Sequence, residues 1–446
     1  MMSDLVRKYN NALAVIVSVL AVFGMFGIHQ IRIFGMVVTP YRIFIPILFV
    51  LCFTFTWRYN NHGLNHQHII KIVASIFIVW LLYGSLQLLI IDNLNLKEGI
   101  KELFGLALGF AMVFIVIYCI INEANCSIFI NTIKFIYVLL LGLACLEIIT
   151  RYHLYTSRLA NELSDNIFST IDSSKKIATT IFYNENDYAA FIAIFVPVFF
   201  VFNTKKEMIF NTIIIAVSIG FLRMFDSWTA IFAVGVSCIV FFFNYLLEKK
   251  KSVLQLIYRV IILSTYFWSH KVLNAIFSFL RSILTGFGGE HDVEIADLQS
   301  TIKAQLIDRT GTSGSIRINS YIDSFVDTFK DTFGLGYGPG GYAKHLQEGE
   351  KGLLLSNPHC LWSEILTQYG IIIFLVYVMF LMYIFISLLK IYAKEHDKII
   401  LTLILVDISY IFAVFGPSGF LNYGYSWLVI GINVGSVIIS KINKGM

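Results

Sequence analysis

Runs of apolar residues separated by short polar segments recur along most of the 446-residue chain. Most of these runs have about 17 to 22 residues, enough for an α-helix to cross the ~30 Å hydrocarbon core of a membrane. The pattern therefore predicts an all-α fold, a polytopic membrane helix bundle with about twelve transmembrane helices. The predicted spans lie near residues 12–28, 36–57, 72–91, 103–121, 133–150, 186–203, 209–222, 229–247, 253–271, 365–389, 399–415 and 424–439.

A long polar segment interrupts this series and divides the chain into three parts. Residues 1–271 hold the first nine predicted spans, 272–364 form a large loop outside the cytoplasm, and 365–446 hold the last three. Part of the loop has apolar residues at helical spacing, which predicts an amphipathic helix lying along the membrane interface. Those apolar residues are Ile318, Ile322, Phe325, Val326 and Phe329.

The composition supports a membrane protein and narrows what it can bind. With 57% hydrophobic and 14% charged residues, the chain is far more apolar than a soluble globular protein. The formal net charge of +5 is small and spread along the chain, so nucleic-acid binding is not expected. The six cysteines stand singly, mostly inside the apolar runs, and they predict neither a disulfide framework nor a zinc site.

Lysine and arginine residues concentrate in alternate polar segments, and this sets the orientation of the spans. Placing the amino terminus in the cytoplasm puts most of them on the cytoplasmic side, as the positive-inside rule requires. Segments 151–185 and 272–364 and the turn around Arg223 then lie on the outer face, which becomes the predicted working surface. The cytoplasmic basic residues are Arg58, Lys71, Lys134, Lys205, Lys206, Lys249, Lys250, Lys251, Lys390, Lys394, Lys398, Lys441 and Lys444.

Residues Gly334 to Gly370 break the apolar pattern with a glycine-rich turn, GLGYGPGGY, and a histidine, His359. Asn357 followed by Pro358 predicts a helix start, which would put His359 in the first helical turn. The positive end of the helix dipole favours a neutral imidazole there, and such a ring can accept a proton near pH 7. Glu364 either orients His359 or an arginine, or only stabilises the early turns of the helix.

Two arginines stand out on the predicted outer face. Arg223 ends a predicted span, and Arg317 opens the amphipathic helix. A guanidinium at a membrane boundary needs an anionic partner, and its fork of donors matches phosphate oxygens. The alternative is that each arginine snorkels to lipid phosphates or pairs with a carboxylate, such as Asp226 or Asp323.

Four motifs resemble those of one protein family, and they occur in the family's order along the chain. GLGYGPGGY and SNPHCLWSEILTQYGIIIFLVY resemble the G-x-G-x-x-x-[FY] and HN-x-[FWY]-x-E-x-x-x-x-x-G patterns of the O-antigen ligase and Wzy-type polysaccharide polymerase superfamily. The arginine-led helix before the glycine turn, beginning SIRINSY, is also similar. Upstream, TTIFYNENDYAAFIAIFVP resembles the family's G-x-x-x-N-x-N-x-x-A segment, with Asn184, Asn186 and Asp187 at the matching positions.

The resemblance implies an integral-membrane glycosyltransferase that uses neither a metal nor another cofactor and works on the outer face of the bacterial cytoplasmic membrane. Its substrate would be an undecaprenyl-diphosphate-linked oligosaccharide, and a flippase and a chain-length regulator are candidate partner proteins. His359 matches the family's essential histidine, and Arg317 matches the arginine of the loop helix. The chain departs from the pattern twice: Ser227-Trp228 stands where Ser-Arg is usual, with Arg223 as the nearest guanidinium, and Cys360 replaces the asparagine after the histidine.

Glycosidic bond formation from a lipid-diphosphate sugar calls for the same residue types. It needs a base near the acceptor hydroxyl and positive charge near the departing diphosphate. A neutral His359 can supply the base. Arg317 and Arg223 can supply the charge without a metal, because the outer loop contains no D-x-D pair. These residues predict direct displacement with inversion at the anomeric carbon.

Three further residues near the histidine are candidates for contact with the sugar or for a role in catalysis. Tyr337 and Tyr342 are placed where a sugar could stack on an aromatic ring. Cys360, beside His359, suggests a thiol nucleophile, but adjacent residues on a helix point about 100° apart. The thiol is therefore disfavoured as a partner of the histidine.

The first functional prediction is a polymerase that joins repeat units of a surface polysaccharide, such as capsule, exopolysaccharide or O antigen. The alternative within enzymes is a ligase that moves finished glycan from the same lipid carrier to another acceptor. A flippase or transporter of lipid-linked sugars is the alternative of another class. It would account for the spans and the outer arginines, but not for a structured loop that carries a histidine at a helix start.

Overall fold

The computed structural model shows an almost entirely helical chain. It describes residues 2–24, 31–33, 36–59, 67–91, 96–121, 126–150, 154, 178–248, 252–285, 313–348, 360–417 and 419–443. The helices are α1 (Met2–Val22), α2 (Pro40–Tyr59), α3 (Gln67–Ile90), α4 (Leu96–Ile121), α5 (Cys126–Thr150), α6 (Glu185–Phe195), α7 (Lys205–Met224), α8 (Trp228–Leu247), α9 (Val253–Thr285), α10 (Ser313–Thr332), α11 (Gly341–Glu348), α12 (Leu361–Glu395), α13 (Lys398–Ala413) and α14 (Gly424–Asn443).

Short elements complete the described fold. Strands β1 (Ile31–Ile33) and β2 (Met36–Val38) form an antiparallel ribbon between α1 and α2. Two 3₁₀ turns, Val196–Phe199 and Phe420–Asn422, follow α6 and precede α14. Strand β1 lies in the predicted connection between the first two spans, whereas β2 occupies the start of the span predicted at 36–57, which is helical only from Pro40. So short a ribbon leaves the predicted all-α class unchanged.

Seven helices in the described part of the chain are long and apolar enough to cross a membrane. They are α3, α4, α5, α7, α8, α12 and α14. Two shorter apolar stretches, Pro40–Thr54 and Val253–Ser269, lie in α2 and α9. The predicted polytopic helix bundle is therefore confirmed. The predicted spans near 12–28, 186–203 and 399–415 overlap α1, α6 and α13, whose crossing of the membrane stays a prediction.

The chain forms two compact units. The first consists of Met1–Ile133, Asp323–Asp407 and Pro417–Met446, and the second consists of Lys134–Ile322 and Ile408–Gly416. The three-part division at 272 and 364 stays a prediction about the membrane. Helix α9 continues past 271 to Thr285, so the segment predicted to be a loop begins with helix.

Helices α4 and α14 form the centre of the first unit. Most of α14 is buried, and Gly431 and Gly435 bring its backbone close to Val116 and Ile120 of α4. Small residues allow such close approach between spanning helices. Around the buried Trp427, the rings of Phe77 and Phe110 are stacked at 4.0 Å and those of Phe110 and Trp427 meet edge to face at 5.2 Å. This rigid centre supports the helix ends that carry the candidate site.

In the second unit, polar contacts fix the buried helix α6 and the segment before it. The Tyr188 hydroxyl donates to the carbonyl oxygen of Leu140 in α5 at 3.1 Å. The segment before α6 is held by Glu147, whose carboxylate accepts from the backbone N–H groups of Thr179 and Thr180 at 2.8 Å each. The family-like segment around Asn184 is therefore attached to a membrane-spanning helix.

Helix α10 is amphipathic, as the sequence predicts, and its apolar side is the exposed one. In its first-unit part, Ser324 and Thr328 are fully buried, whereas Phe325 and Val326 are about half exposed. The small side chains of these two residues allow close packing. The Thr328 hydroxyl forms its hydrogen bond within the helix, since it donates to the carbonyl of Ser324 at 2.7 Å. Exposed apolar side chains of this size fit a lipid surface, and the position of α10 at the membrane interface stays a prediction.

Candidate active site

The glycine turn pairs with the backbone of α12. Gly334, Gly336, Gly338 and Gly340 all have positive φ angles, between 72° and 85°, which favour glycine strongly over other residues. Three backbone hydrogen bonds join the two segments: Tyr337 N to Thr367 O at 2.7 Å, Gly338 N to Gln368 O at 3.0 Å, and Ile371 N to Gly334 O at 2.9 Å. The turn is thus docked along one short stretch of a spanning helix.

This docking requires a break in α12. At Gly370 the backbone has φ 76° and ψ 177°, a conformation that is essentially restricted to glycine. A Cβ atom on Gly370 would lie 2.5 Å from the carbonyl oxygen of Gly334, and one on Gly336 would lie 2.6 Å from the amide nitrogen of Gly370. The sequence suggests glycines that let a substrate approach the backbone. In the structure, the close approach is between two parts of the protein.

Helix α3 holds the turn from the other side. The Tyr83 hydroxyl donates to the carbonyl of Leu335 at 2.7 Å, and the Gln87 side-chain amide donates to the same carbonyl at 2.8 Å and to that of Gln368 at 3.2 Å. Sequence reasoning missed both residues. In the sequence, Gln87 itself could have indicated this contact, because an uncharged polar side chain inside an apolar span commonly forms a hydrogen bond to a neighbouring segment.

Tyr337 and Tyr342 lie together beside the turn, with ring centroids 5.3 Å apart. Tyr342 is 1% exposed and its hydroxyl is 3.2 Å from Ser324 Oγ, so its ring has no open face in this conformation. Burial raises the pKa of Tyr342 to about 12. Tyr337 is partly exposed, and burial together with the carboxylate of Asp331 raises its pKa well above the usual value. Both hydroxyls therefore stay protonated at neutral pH.

Glu364 lies in the first turn of α12, and it holds the segment that precedes α14. It is 3% exposed, and its carboxylate accepts from the backbone N–H groups of Gly419 and, at 3.1 Å, Phe420. Beside it, the Asn422 amide donates to the Glu102 carboxylate at 3.1 Å. The segment before α14 is thus tied to two helices, and orientation of His359 or an arginine by Glu364 stays a prediction.

Replacing Glu364 by Gln is expected to weaken this attachment. The oxygen of the new amide side chain can accept from one of the two backbone N–H groups, but its N–H₂ group would face the other, and two donors cannot pair. A buried donor is then left without an acceptor, at a cost of about 1–3 kcal/mol. The thermal unfolding midpoint of the purified protein measures the loss. Glu98→Gln is the control, because Glu98 is half exposed and pairs with Lys101 at 2.7 Å, a contact worth little. Equal midpoints for the two variants would contradict the assignment.

In the second unit, Asn184 has a defined structural role. It is the N-cap of α6, and its side-chain oxygen accepts from the Asp187 backbone N–H at 2.9 Å. Asp187 is buried, and Asn186 between them is partly exposed. The asparagine pattern of this segment is therefore explained at Asn184 by helix capping. Contact of these three residues with a substrate stays a prediction.

Arg223 lies in the last turn of α7, where it also complements the helix dipole. Its guanidinium carbon is 5.2 Å from the centre of the Tyr266 ring on α9, a cation–π geometry. Its Nε atom is buried, and among the described residues it has no hydrogen-bond partner. Ser227 and the exposed Trp228 follow at the start of α8. Arg223 is thus positioned by a ring, and binding of an anion by its guanidinium stays a prediction.

Three of the predicted residues fall wholly or partly outside the described residues. His359 and Asn357 lie outside them, as does the side chain of Arg317, whose backbone belongs to α10. Helix α12 begins at Leu361, with Cys360 as its N-cap in an extended conformation. The predicted start of this helix at Asn357-Pro358 is wrong, because the chain turns into α12 only after Cys360. His359 precedes this N-cap and lies outside the described residues, so a neutral imidazole there stays a prediction.

These features define a polytopic α-helical membrane protein with a glycine turn docked into a broken spanning helix. Residues 213–378 match a family model described as O-antigen ligase (Wzy_C). This match supports the predicted resemblance to the O-antigen ligase and Wzy superfamily, whose members are membrane glycosyltransferase-like enzymes. The match includes Arg223, Arg317, the glycine turn and His359, whereas Asn184 and its neighbours lie before it. A search of curated proteins gives no match.

Proposed function

We propose that this protein is a polymerase of a bacterial surface polysaccharide. It transfers glycan from undecaprenyl diphosphate to a hydroxyl group of another lipid-linked repeat, on the outer face of the cytoplasmic membrane. The observation that carries the proposal is the family match over 213–378, which contains the histidine and both arginines singled out by their chemistry. The run Tyr369-Gly370-Ile371 after the histidine favours a polymerase over a ligase.

In the proposed reaction, His359 accepts the proton of the acceptor hydroxyl. The hydroxyl oxygen then attacks the anomeric carbon as the bond from that carbon to the diphosphate oxygen breaks. Undecaprenyl diphosphate leaves with the bonding electron pair, and Arg317 and Arg223 stabilise its negative charge. One displacement inverts the anomeric configuration. The guanidinium groups take the part that a divalent cation plays in many sugar transferases, so we propose a metal-independent enzyme.

A ligase is the second candidate, because the same family includes it and both reactions use the same carrier and the same leaving group. The two differ in the acceptor alone. A ligase transfers finished glycan to a different molecule and leaves single lipid-linked repeats unjoined. A lipid-linked sugar flippase remains the alternative of another class, and it would move the lipid without forming a bond.

Purified protein in phosphatidylethanolamine and phosphatidylglycerol liposomes, supplied with the native lipid-linked repeat and no ion gradient, is expected to produce a ladder of longer lipid-linked glycans. Mass spectrometry of the products measures the ladder, and NMR of the new linkage measures the anomeric configuration. Chelation by EDTA should leave the ladder unchanged, and Arg317→Ala should reduce it. A reaction that requires a second kind of acceptor would identify a ligase, and lipid movement without new bonds would identify a flippase.

A further inference from the structure

Beside the glycine turn, three side chains that the proposed reaction does not use form one cluster. The Tyr337 hydroxyl donates to Asp331 Oδ2 at 2.8 Å, and it is 3.4 Å from His345 Nε2. His345 Nε2 is 3.7 Å from the same carboxylate oxygen. The rings of Tyr337 and His345 lie 4.6 Å apart and are inclined by 33°. Carboxylate, phenol and imidazole therefore meet at one point.

This cluster is accessible. The side chains of Asp331 and His345 are 37% and 38% exposed, and Tyr337 is partly exposed. Behind them, the buried ring of Tyr342 lies 5.9 Å from that of His345 and nearly parallel to it. Polar atoms and ring surface thus face solvent together, above an apolar floor.

The support of the cluster is rigid, which a binding site requires. Asp331 is in the last turn of α10, His345 is in α11, and Tyr337 belongs to the turn between them. The backbone of Tyr337 is fixed by its hydrogen bond to Thr367 of α12, and its hydroxyl oxygen also lies 3.1 Å from the Asp327 carbonyl oxygen, a second acceptor for the same O–H. Three elements are thus locked in one arrangement without a ligand.

We infer that Asp331, Tyr337 and His345 form a subsite for a pyranose sugar of the acceptor glycan. A carboxylate can accept two hydrogen bonds from neighbouring sugar hydroxyls, and an aromatic ring packs against the apolar face of a sugar. The diphosphate is excluded as its ligand, since a carboxylate repels an anion. This inference rests on the proposed function, because that function supplies the glycan.

The test uses full-length protein in nanodiscs and, as the probe, the oligosaccharide released by mild acid from the strain's own lipid-linked repeat. Asp331→Asn and His345→Gln should each weaken its binding by about tenfold, measured by ligand-observed NMR, which corresponds to ~1.4 kcal/mol. In elongation assays, the same variants should raise KM for the acceptor more than they lower kcat. Asp397→Asn and His396→Asn are the matched controls. The Asp397 carboxylate accepts from the Ile399 backbone N–H at 2.6 Å at the start of α13, a capping contact that Asn can also make. His396 has a left-handed conformation, which Asn also adopts.

The outcomes separate this inference from the proposed function. If wild-type protein elongates the glycan while both variants bind the probe as wild type does, the subsite is refuted and the polymerase stands. If wild-type protein binds the probe through these residues but forms no bond, the polymerase is refuted and the glycan subsite stands. Variants whose unfolding midpoints match that of the wild type ensure that lost binding reflects the subsite. A midpoint lowered by several degrees in both variants, with binding lost in proportion, would assign the cluster to folding and overturn the inference.

Discussion

Replacing His359 by Ala is expected to abolish glycan elongation while the protein remains in the membrane. A general base in the transition state contributes about 10²–10⁴-fold to the rate, and the acceptor hydroxyl is a poor nucleophile without one. The liposome assay measures the rate directly, and the length of surface polymer in a complemented deletion strain measures it in cells. His68→Ala is the control for loss of a histidine, because His68 is exposed at the start of α3.

The neighbouring thiol offers a sharper comparison. Cys360 is buried, and burial raises the pKa of its thiol to about 12, which disfavours a covalent role, because the thiolate is the nucleophilic form. Cys360→Ala should therefore keep most of the activity that His359→Ala loses. Polymer of normal length from the His359 variant would refute the base, and an inactive Cys360 variant with a normal unfolding midpoint would reopen the thiol.

Replacing Gly370 by Ala is expected to have the largest effect on folding. The φ and ψ angles at this position are accessible to glycine almost alone, and the added Cβ would lie 2.5–2.6 Å from Gly334 O and from the carbonyl group of Leu335. Backbone strain and the clash together should cost about 3 kcal/mol or more. We expect a lower unfolding midpoint in detergent and loss of elongation, because the glycine turn can no longer dock on α12.

Gly142→Ala is the matched control for this change. Gly142 lies within α5, and a Cβ atom there would have no neighbour within 4 Å. Alanine favours a helix by about 0.5–1 kcal/mol relative to glycine, so the midpoint should stay the same or rise slightly. If Gly370→Ala unfolds at the same temperature as Gly142→Ala, the docked turn is not a stabilising element of the fold.

The sequence by itself determined the features that follow from local composition. Apolar runs of membrane-spanning length predict the helices, because a helix makes all its backbone hydrogen bonds within one segment and its apolar side chains suit the lipid. The spacing of Phe325, Val326 and Phe329 predicts α10, and the order of the motifs predicts the family resemblance that the match over 213–378 supports. These conclusions need no knowledge of which helices are neighbours.

Only the tertiary structure decided how the candidate site is built. Gly334 and Gly336 are far from Gly370 in the sequence, and their contact with it forms only when the turn docks at the break in α12. Tyr83 and Gln87 hold that turn from α3, and Glu364 binds the segment before α14. These contacts depend on which distant segments pack beside unpaired backbone groups. A local sequence pattern does not contain that information. The start of α12 at Leu361 was missed because an Asn-Pro pair is only a local preference for a helix start and does not fix where the helix begins.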